Sequence, residues 1–160
     1  MTDALSSFNG SPGPPSQPPS VAIAESCTGG QVMARIVATP GSGEWFKGGV
    51  VAYDRQVKFD LLDVTPGPVV TSEAAAQMAK GVHRLLGAEI GIATTGEAGP
   101  DPEEDVPVGT VYIAVAELDS VKVHHIVLSG KPEEIRSGAT ELALFHLGRL
   151  TGLDVTANRV

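Results

Sequence analysis

From Val21 onward the apolar positions follow two rhythms, short β-rich runs and three-to-four-residue helical spacings. Val21–Ala24 is a short apolar run that ends at the turn Glu25-Ser26-Cys27-Thr28-Gly29-Gly30. Over Gln31–Ala38, Val32, Met33, Ile36 and Val37 share one helical stripe, stopped by Thr39-Pro40-Gly41. Gly48–Tyr53 reads as a second strand, after which Asp54 caps a short helix carrying Val57, Lys58, Leu61 and Leu62. Thr71 or Ser72 caps a third helix, with Ala75, Met78, Ala79, Val82, Leu85 and Leu86 on one face and Gly87 as its stop. Glu89–Thr94 is the next strand, and Thr95–Val108 a long loop. Gly109–Glu117 and Val121–Leu128 form a hairpin around Leu118-Asp119-Ser120. Pro132 suits the first turn of a last helix, with Glu133 and Glu134 where the helix dipole favours carboxylates. Its core stripe is Ile135, Ala139, Leu142, Ala143, His146, Leu147 and Leu150.

Strands interleaved with helices predict a three-layer α/β/α domain, and the hairpin makes its sheet mixed. The loops at 25–30 and 95–108 are expected on one edge of that sheet, where open α/β sheets bind ligands.

The length of 160 residues suits a single domain. Residues 1–20 hold five of the twelve prolines and read as a flexible arm or linker, leaving 21–160 as one folded unit. The single cysteine, Cys27, excludes an internal disulfide and a cysteine-cluster metal site. No run of about 18 apolar residues exists to span a membrane. No basic segment precedes an apolar one, so a cytoplasmic location is expected rather than secretion. Eleven basic against nineteen acidic residues give a net charge of -8, which argues against direct nucleic-acid binding.

The first chemical candidate is Ser26. A strand that ends in Ser-Cys-Thr-Gly-Gly and enters a helix sets a hydroxyl beside backbone N–H groups that can hold a phosphate or an oxyanion. The plainer reading is an N-cap turn in which Ser26 or Thr28 satisfies the helix start. Cys27 is the competing nucleophile, against which stands the usual role of a free cysteine as a small buried hydrophobe. None of the four histidines lies near a glycine turn, and His146 on an apolar stripe suits a core histidine. No His/Asp/Glu pair sits at metal-ligand spacing on a helix face. Lys58 is a candidate base, five residues after Tyr53 at a strand end. To act near neutrality a lysine must be desolvated, and a helix N-terminus pushes the same way. Against this stands the ordinary reading of Lys58 as a solvated surface residue and Tyr53 as a strand-end aromatic.

Ala24-Glu25-Ser26-Cys27-Thr28-Gly29-Gly30, Gly48-Gly49-Val50-Val51-Ala52-Tyr53 with Lys58 and Leu61-Leu62, Thr95-Gly96-Glu97-Ala98-Gly99-Pro100 and Pro107-Val108-Gly109-Thr110-Val111 resemble the CinA C-terminal domain. That family includes nicotinamide mononucleotide deamidases, and the likeness runs over roughly residues 21–150. It implies a three-layer fold with a mixed, mostly parallel five-stranded sheet. It also implies hydrolysis of the carboxamide of nicotinamide mononucleotide to nicotinate mononucleotide and ammonia, without metal or cofactor. On matching positions the resemblance makes Ser26 the nucleophile and Lys58 with Tyr53 its activating pair. Backbone N–H groups around Thr28, Gly29 and Gly30, and the loop with Thr95, Gly96, Ala98 and Gly99, would hold the oxyanion or the nucleotide. Arg136 matches an Ile-Arg pair that opens the family's last helix and would meet the phosphate; a surface helix residue is the alternative. The nucleotide is the expected small-molecule partner, and a homodimer is implied by the family alone.

The sequence departs from the family pattern at several points. The arm replaces a helix before the first strand, and Lys131-Pro132 replaces a frequent Asp-Arg pair. The family's frequent N-terminal nucleotide-hydrolase-like domain is missing from this sequence, so that activity is not expected. Glu97 stands where an aliphatic residue is customary, and Asp101-Pro102-Glu103-Glu104-Asp105 replaces a glycine-rich stretch. These carboxylates are expected on a solvated loop face; at the pocket they would repel a phosphate of about -1.5 to -2 charges. A weakened or inactive nucleotide-binding or interaction module, tied to competence or DNA damage, is therefore the alternative function. An amidase acting on another small amide is a third.

Overall fold

A computed structural model describes residues 17–156. Residues 1–16, which hold most of the proline-rich arm, and residues 157–160 lie outside the described residues. The elements follow in the order β1 (Val21–Glu25), α1 (Gln31–Val37), β2 (Phe46–Val51), α2 (Arg55–Leu62), α3 (Ser72–Leu86), β3 (Ile90–Gly96), β4 (Thr110–Glu117), β5 (Ser120–Val127) and α4 (Pro132–Thr151). One 3-10 turn, Ser42–Glu44, precedes β2. The strands form a single sheet in the order β2-β1-β3-β4-β5. β1 pairs in parallel with β2 and β3, whereas β4 is antiparallel to both β3 and β5. Four strands thus run one way and β4 runs back, the mixed and mostly parallel sheet that the sequence predicts.

Strand alternation sorts the core into two unlike faces. Toward α1 and α4 the sheet presents branched side chains: Val21 and Ile23, Ile90 and Ile92, Val111, Ile113 and Val115. Each such side chain, fully buried, contributes about 1.5–3 kcal/mol. Toward α2 and α3 the same strands present Ala22, Ala24, Ala93, Ala114 and Ala116. With so little side chain in the way, α3 lies close against the strands. At Gly91 a methyl group would sit 2.1 Å from the carbonyl oxygen of Ala79 on α3, so only glycine fits.

Several details differ from the hydrophobic pattern. β3 runs on to Gly96, so Thr95 and Gly96, expected in the long loop, close the strand where its pairing with β4 continues to Val111. β2 begins and ends two residues earlier than expected, because Val21 pairs with Phe46 and its N–H bonds the Trp45 carbonyl at 2.8 Å. Tyr53 consequently leaves the sheet. Glu117 pairs with Ser120, so the hairpin turn is the two residues Leu118-Asp119. In α4 the buried stripe includes Thr140 and Leu144, while His146 is only part-buried. The helix packs over β3, β4 and α1 and leaves His146 on the flank toward β5. Before β1, Ser20 is fixed to the start of β3: its hydroxyl donates to Glu89 at 2.9 Å and accepts from the Glu89 N–H at 3.0 Å.

Candidate active site

The C-terminal ends of β1, β2 and β3 share one edge of the sheet, and the loops leaving them enclose a cavity. Ser26, Tyr53, Lys58, Thr95, Gly96, Ala98, Gly99 and Arg136 all line it. The two loops expected on one edge are therefore brought together there.

Ser26 is the first residue beyond β1. Its N–H extends the sheet by bonding the Thr94 carbonyl at 3.0 Å, and the residue is only 8% exposed. Lys58 arrives from the opposite wall. Asp54 starts α2 by accepting from the Gln56 N–H at 2.7 Å, and one turn later the Lys58 side chain runs back toward the helix start. Lys58 is 1% exposed, which removes the surface-lysine reading. Its Nζ has three donors when charged, yet among the described residues it makes one hydrogen bond, to the Tyr53 carbonyl oxygen at 2.9 Å. Burial lowers its pKa from the ordinary 10.5, and the Asp54 carboxylate opposes that shift only in part.

Tyr53 is linked to Lys58 through its main chain, while its side chain lies at the cavity mouth and the residue is 71% exposed. The shortened β2 explains this, since Tyr53 sits beyond the last paired residue. Cys27, the alternative nucleophile, is buried, and burial pushes its thiol up to about 12. A thiol held neutral is a poor nucleophile.

Glu25 is the residue that sequence reasoning missed. It is fully buried, and its carboxylate accepts from the Thr28 hydroxyl at 2.6 Å and from the N–H groups of Gly30, Val32 and Met33 at 2.9, 3.1 and 2.7 Å. The open N-terminus of α1 is thus closed by a carboxylate from the strand before it. An acid placed between an apolar strand and a glycine turn was the available signal. The consequence falls on Thr28, Gly29 and Gly30, which do not line the cavity. The Thr28 hydroxyl also shares a 2.8 Å bond with Thr94, and the Gly29 N–H bonds the Ser26 carbonyl. Gly30 (φ 99°) directs its N–H to Glu25 rather than to a ligand.

The acidic loop also differs from expectation. Asp101, Glu103 and Asp105 are exposed, but Glu97 and Glu104 turn inward. Glu97 accepts from the N–H groups of Gly99, Glu103 and Glu104 at 3.3, 2.8 and 3.4 Å, folding the loop around its own carboxylate. Glu104 reaches across to accept from the N–H groups of Val69 and Val70, each at 2.8 Å, and from Arg55 at 2.7 Å. Each carboxylate is occupied by donors, which cuts the repulsion it would exert on an anion. Arg55, not singled out in the sequence, lines the cavity along with Arg136. Among the described residues no group of three or more His, Cys, Asp or Glu could hold a metal ion.

A family profile described as "CinA C-terminal domain" matches residues 16–151. This chain belongs to the CinA C-terminal domain family. A "Putative competence-damage inducible protein" of Halothermothrix orenii is 43% identical over 136 residues, covering 81% of this chain and 33% of that protein. A "CinA-like protein" of Frankia casuarinae is 43% identical over 129 residues, covering 78% and 30%. The chain therefore spans about a third of the length of the curated relatives it matches. Among solved structures, the competence damage-inducible protein A of Klebsiella pneumoniae aligns with a TM-score of 0.78 at 29% identity, covering 82% of this chain and 85% of that one. The competence/damage inducible protein CihA of Agrobacterium tumefaciens gives 0.77 at 31% identity, covering 82% and 85%. The CinA fold and the buried Ser26–Lys58 cavity thus occur in one domain. Among the described residues no helix is long and apolar enough to cross a membrane.

Proposed function

We propose that this CinA-family domain is a serine amidohydrolase that converts nicotinamide mononucleotide to nicotinate mononucleotide and ammonia. The observation that carries this reading is Lys58: a lysine 1% exposed, its pKa lowered by burial, lining the same cavity as Ser26. A neutral Lys58 amine accepts the Ser26 proton as Oγ attacks the carboxamide carbon. When the C–N bond breaks, the ammonium returns that proton to the departing nitrogen, which leaves as ammonia. The resulting ester on Ser26 is hydrolysed by water, again with Lys58 as base, and nicotinate is released.

Since Gly29 and Gly30 direct their N–H groups inward, the oxyanion falls to the other loop. Ala98 lines the cavity, and its N–H makes no hydrogen bond among the described residues. Arg136 and Arg55 are the cations available to the phosphate. Tyr53, at the mouth, offers its ring as a wall for the pyridine. The exposed Glu103, which lines the cavity on a loop that also exposes Asp101 and Asp105, favours a second reading, a nucleotide-binding module without turnover, because it sets negative charge at the site.

The test is ammonia release from nicotinamide mononucleotide by the purified chain. Release that disappears in Ser26→Ala supports the amidase. Tight nucleotide binding with no ammonia would select the second reading, and ammonia from a different small amide would keep the mechanism while changing the substrate.

A further inference from the structure

The edge strand β5 carries a second cluster of polar groups that the amidase reading does not use. Val121 and Val123 pack into the α2/α3 side of the core, so Ser120, Lys122 and His124 project to the other face. α4 packs mainly over β3, β4 and α1 and meets that side of β5 at the His124–His146 stack. A cleft of 420 Å³ remains between β5 and the last turns of α4, against the 10–15 Å³ or so that one water needs. Lys122, His124, His146 and Arg149 line it, opposed by the single carboxylate of Glu117.

That is an unusual concentration of basic groups in a chain of net charge -8. The ion pairs of the described residues are Arg35–Glu141, Arg55–Glu104 and Arg84–Asp63, so neither Lys122 nor Arg149 is paired. Arg149 is steadied at the rim, its guanidinium 5.9 Å from the centre of the half-exposed Phe145 ring. The rings of His124 and His146 stack with centroids 3.9 Å apart, which fixes strand and helix walls at one separation.

We propose that this cleft is a binding site for a small, multiply charged anion of the phosphate class, distinct from the Ser26 cavity. Lys122 and Arg149 supply its standing charge, and His146 supplies more as it loads. Burial, His124 and Arg149 hold His146 below the ordinary histidine pKa. An anion opposes the burial and the neighbouring positive charge that disfavour a proton on His146, so binding takes up a proton there and strengthens as pH falls. The charged groups facing the pair are Glu117 from β4, Lys122 from β5 and Arg149 from α4. Outside this cleft the net negative charge opposes an extended polyanion, which favours a compact ligand over a nucleic acid.

The test is an NMR titration of the full chain with sodium pyrophosphate, following the ring nitrogens of His124 and His146 across pH 5.5–8. Saturable shifts of both rings are expected, with the His146 ring pKa raised by about half a unit or more when the site is filled. The double variant Lys122→Gln/Arg149→Gln, checked for native fold by its amide spectrum, should bind about tenfold more weakly or worse. Shifts reproduced by sodium chloride at equal ionic strength, or binding unchanged in the double variant, would overturn the site. So would sedimentation showing a dimer that the double variant dissociates, since the cleft would then belong to a second copy of the chain.

Discussion

The Lys58 side-chain nitrogen lies 2.9 Å from the carbonyl oxygen of Tyr53, five residues earlier, and has no carboxylate ion-pair partner among the described residues. A lysine this buried is ordinarily paired or neutral. One backbone acceptor orients the amine without compensating a full positive charge. The main chain at the end of β2 therefore does what a carboxylate would do elsewhere, and leaves the base form accessible.

Lys58→Met tests that assignment in two independent ways. Amidase activity should drop by about 10²–10⁴ if Lys58 is the proton carrier. Stability should respond differently. In the wild type the folded-state pKa is lowered, so the unfolded chain binds more protons between that value and 10.5. Unfolding free energy should then rise with pH through this window, and the rise should vanish in Lys58→Met. Urea melts from pH 7 to 10.5 measure both slopes. Equal slopes in the two proteins would show that Lys58 is not held neutral by the fold.

Ser26→Ala and Cys27→Ala separate two adjacent candidates. Loss of the Ser26 hydroxyl should abolish ammonia release. Cys27→Ala should keep activity within about threefold, since a thiol at about 12 contributes no thiolate near neutrality. Thiol reagents at pH 7.5 should label the folded protein slowly and the urea-unfolded protein fast. Rapid labelling of the native chain would contradict the burial of Cys27.

How far the site was legible can be judged residue by residue. Apolar periodicity located each strand and α-helix of the described residues, because alternation and helical stripes follow from burial on one or two faces. It misplaced β2 by two residues, since Trp45 and Phe46 enter the core ahead of the glycines and no local pattern shows which strand they pair with. The lysine at 58 was visible, but its burial was not, because depth depends on α2 packing against the loops from distant strands. The Thr28-Gly29-Gly30 turn suggested ligand contacts that Glu25 instead occupies. A strand-end acid can close either its own helix or a partner's, and only the folded chain decides. Likewise, Glu97 and Glu104 look like solvated charge until the loop closes and turns them toward backbone donors.

Glu25→Ala should expose how much the site depends on that closure. Four donors lose an ionised acceptor inside the core, at a cost of about 1.5–3 kcal/mol for a charge-assisted bond and more if the donors stay dry. Chemical denaturation should show the loss, and hydrogen exchange should quicken at Gly30, Val32 and Met33. A variant as stable as wild type would mean that water replaces the carboxylate at the start of α1.

Gly91→Ala and Gly43→Ala test the close approach of α3 to the sheet. A methyl group at 91 meets the Ala79 carbonyl oxygen at 2.1 Å and the His83 Cβ at 2.7 Å, whereas one at 43 meets nothing within 4 Å. Backbone cannot swing aside as a long side chain can, so α3 must lift from β3. The cost should be about 1–3 kcal/mol or more at position 91 and within about 0.5 kcal/mol at position 43. The same lift would pull on the Val69–Val70 segment just before α3, whose N–H groups hold Glu104 and whose Val69 carbonyl takes the Thr95 hydroxyl. Gly91→Ala should therefore raise KM for the nucleotide as well as lowering Tm, while Gly43→Ala changes neither. A Tm loss without any effect on KM would show that the small-residue face supports the fold but not the cavity.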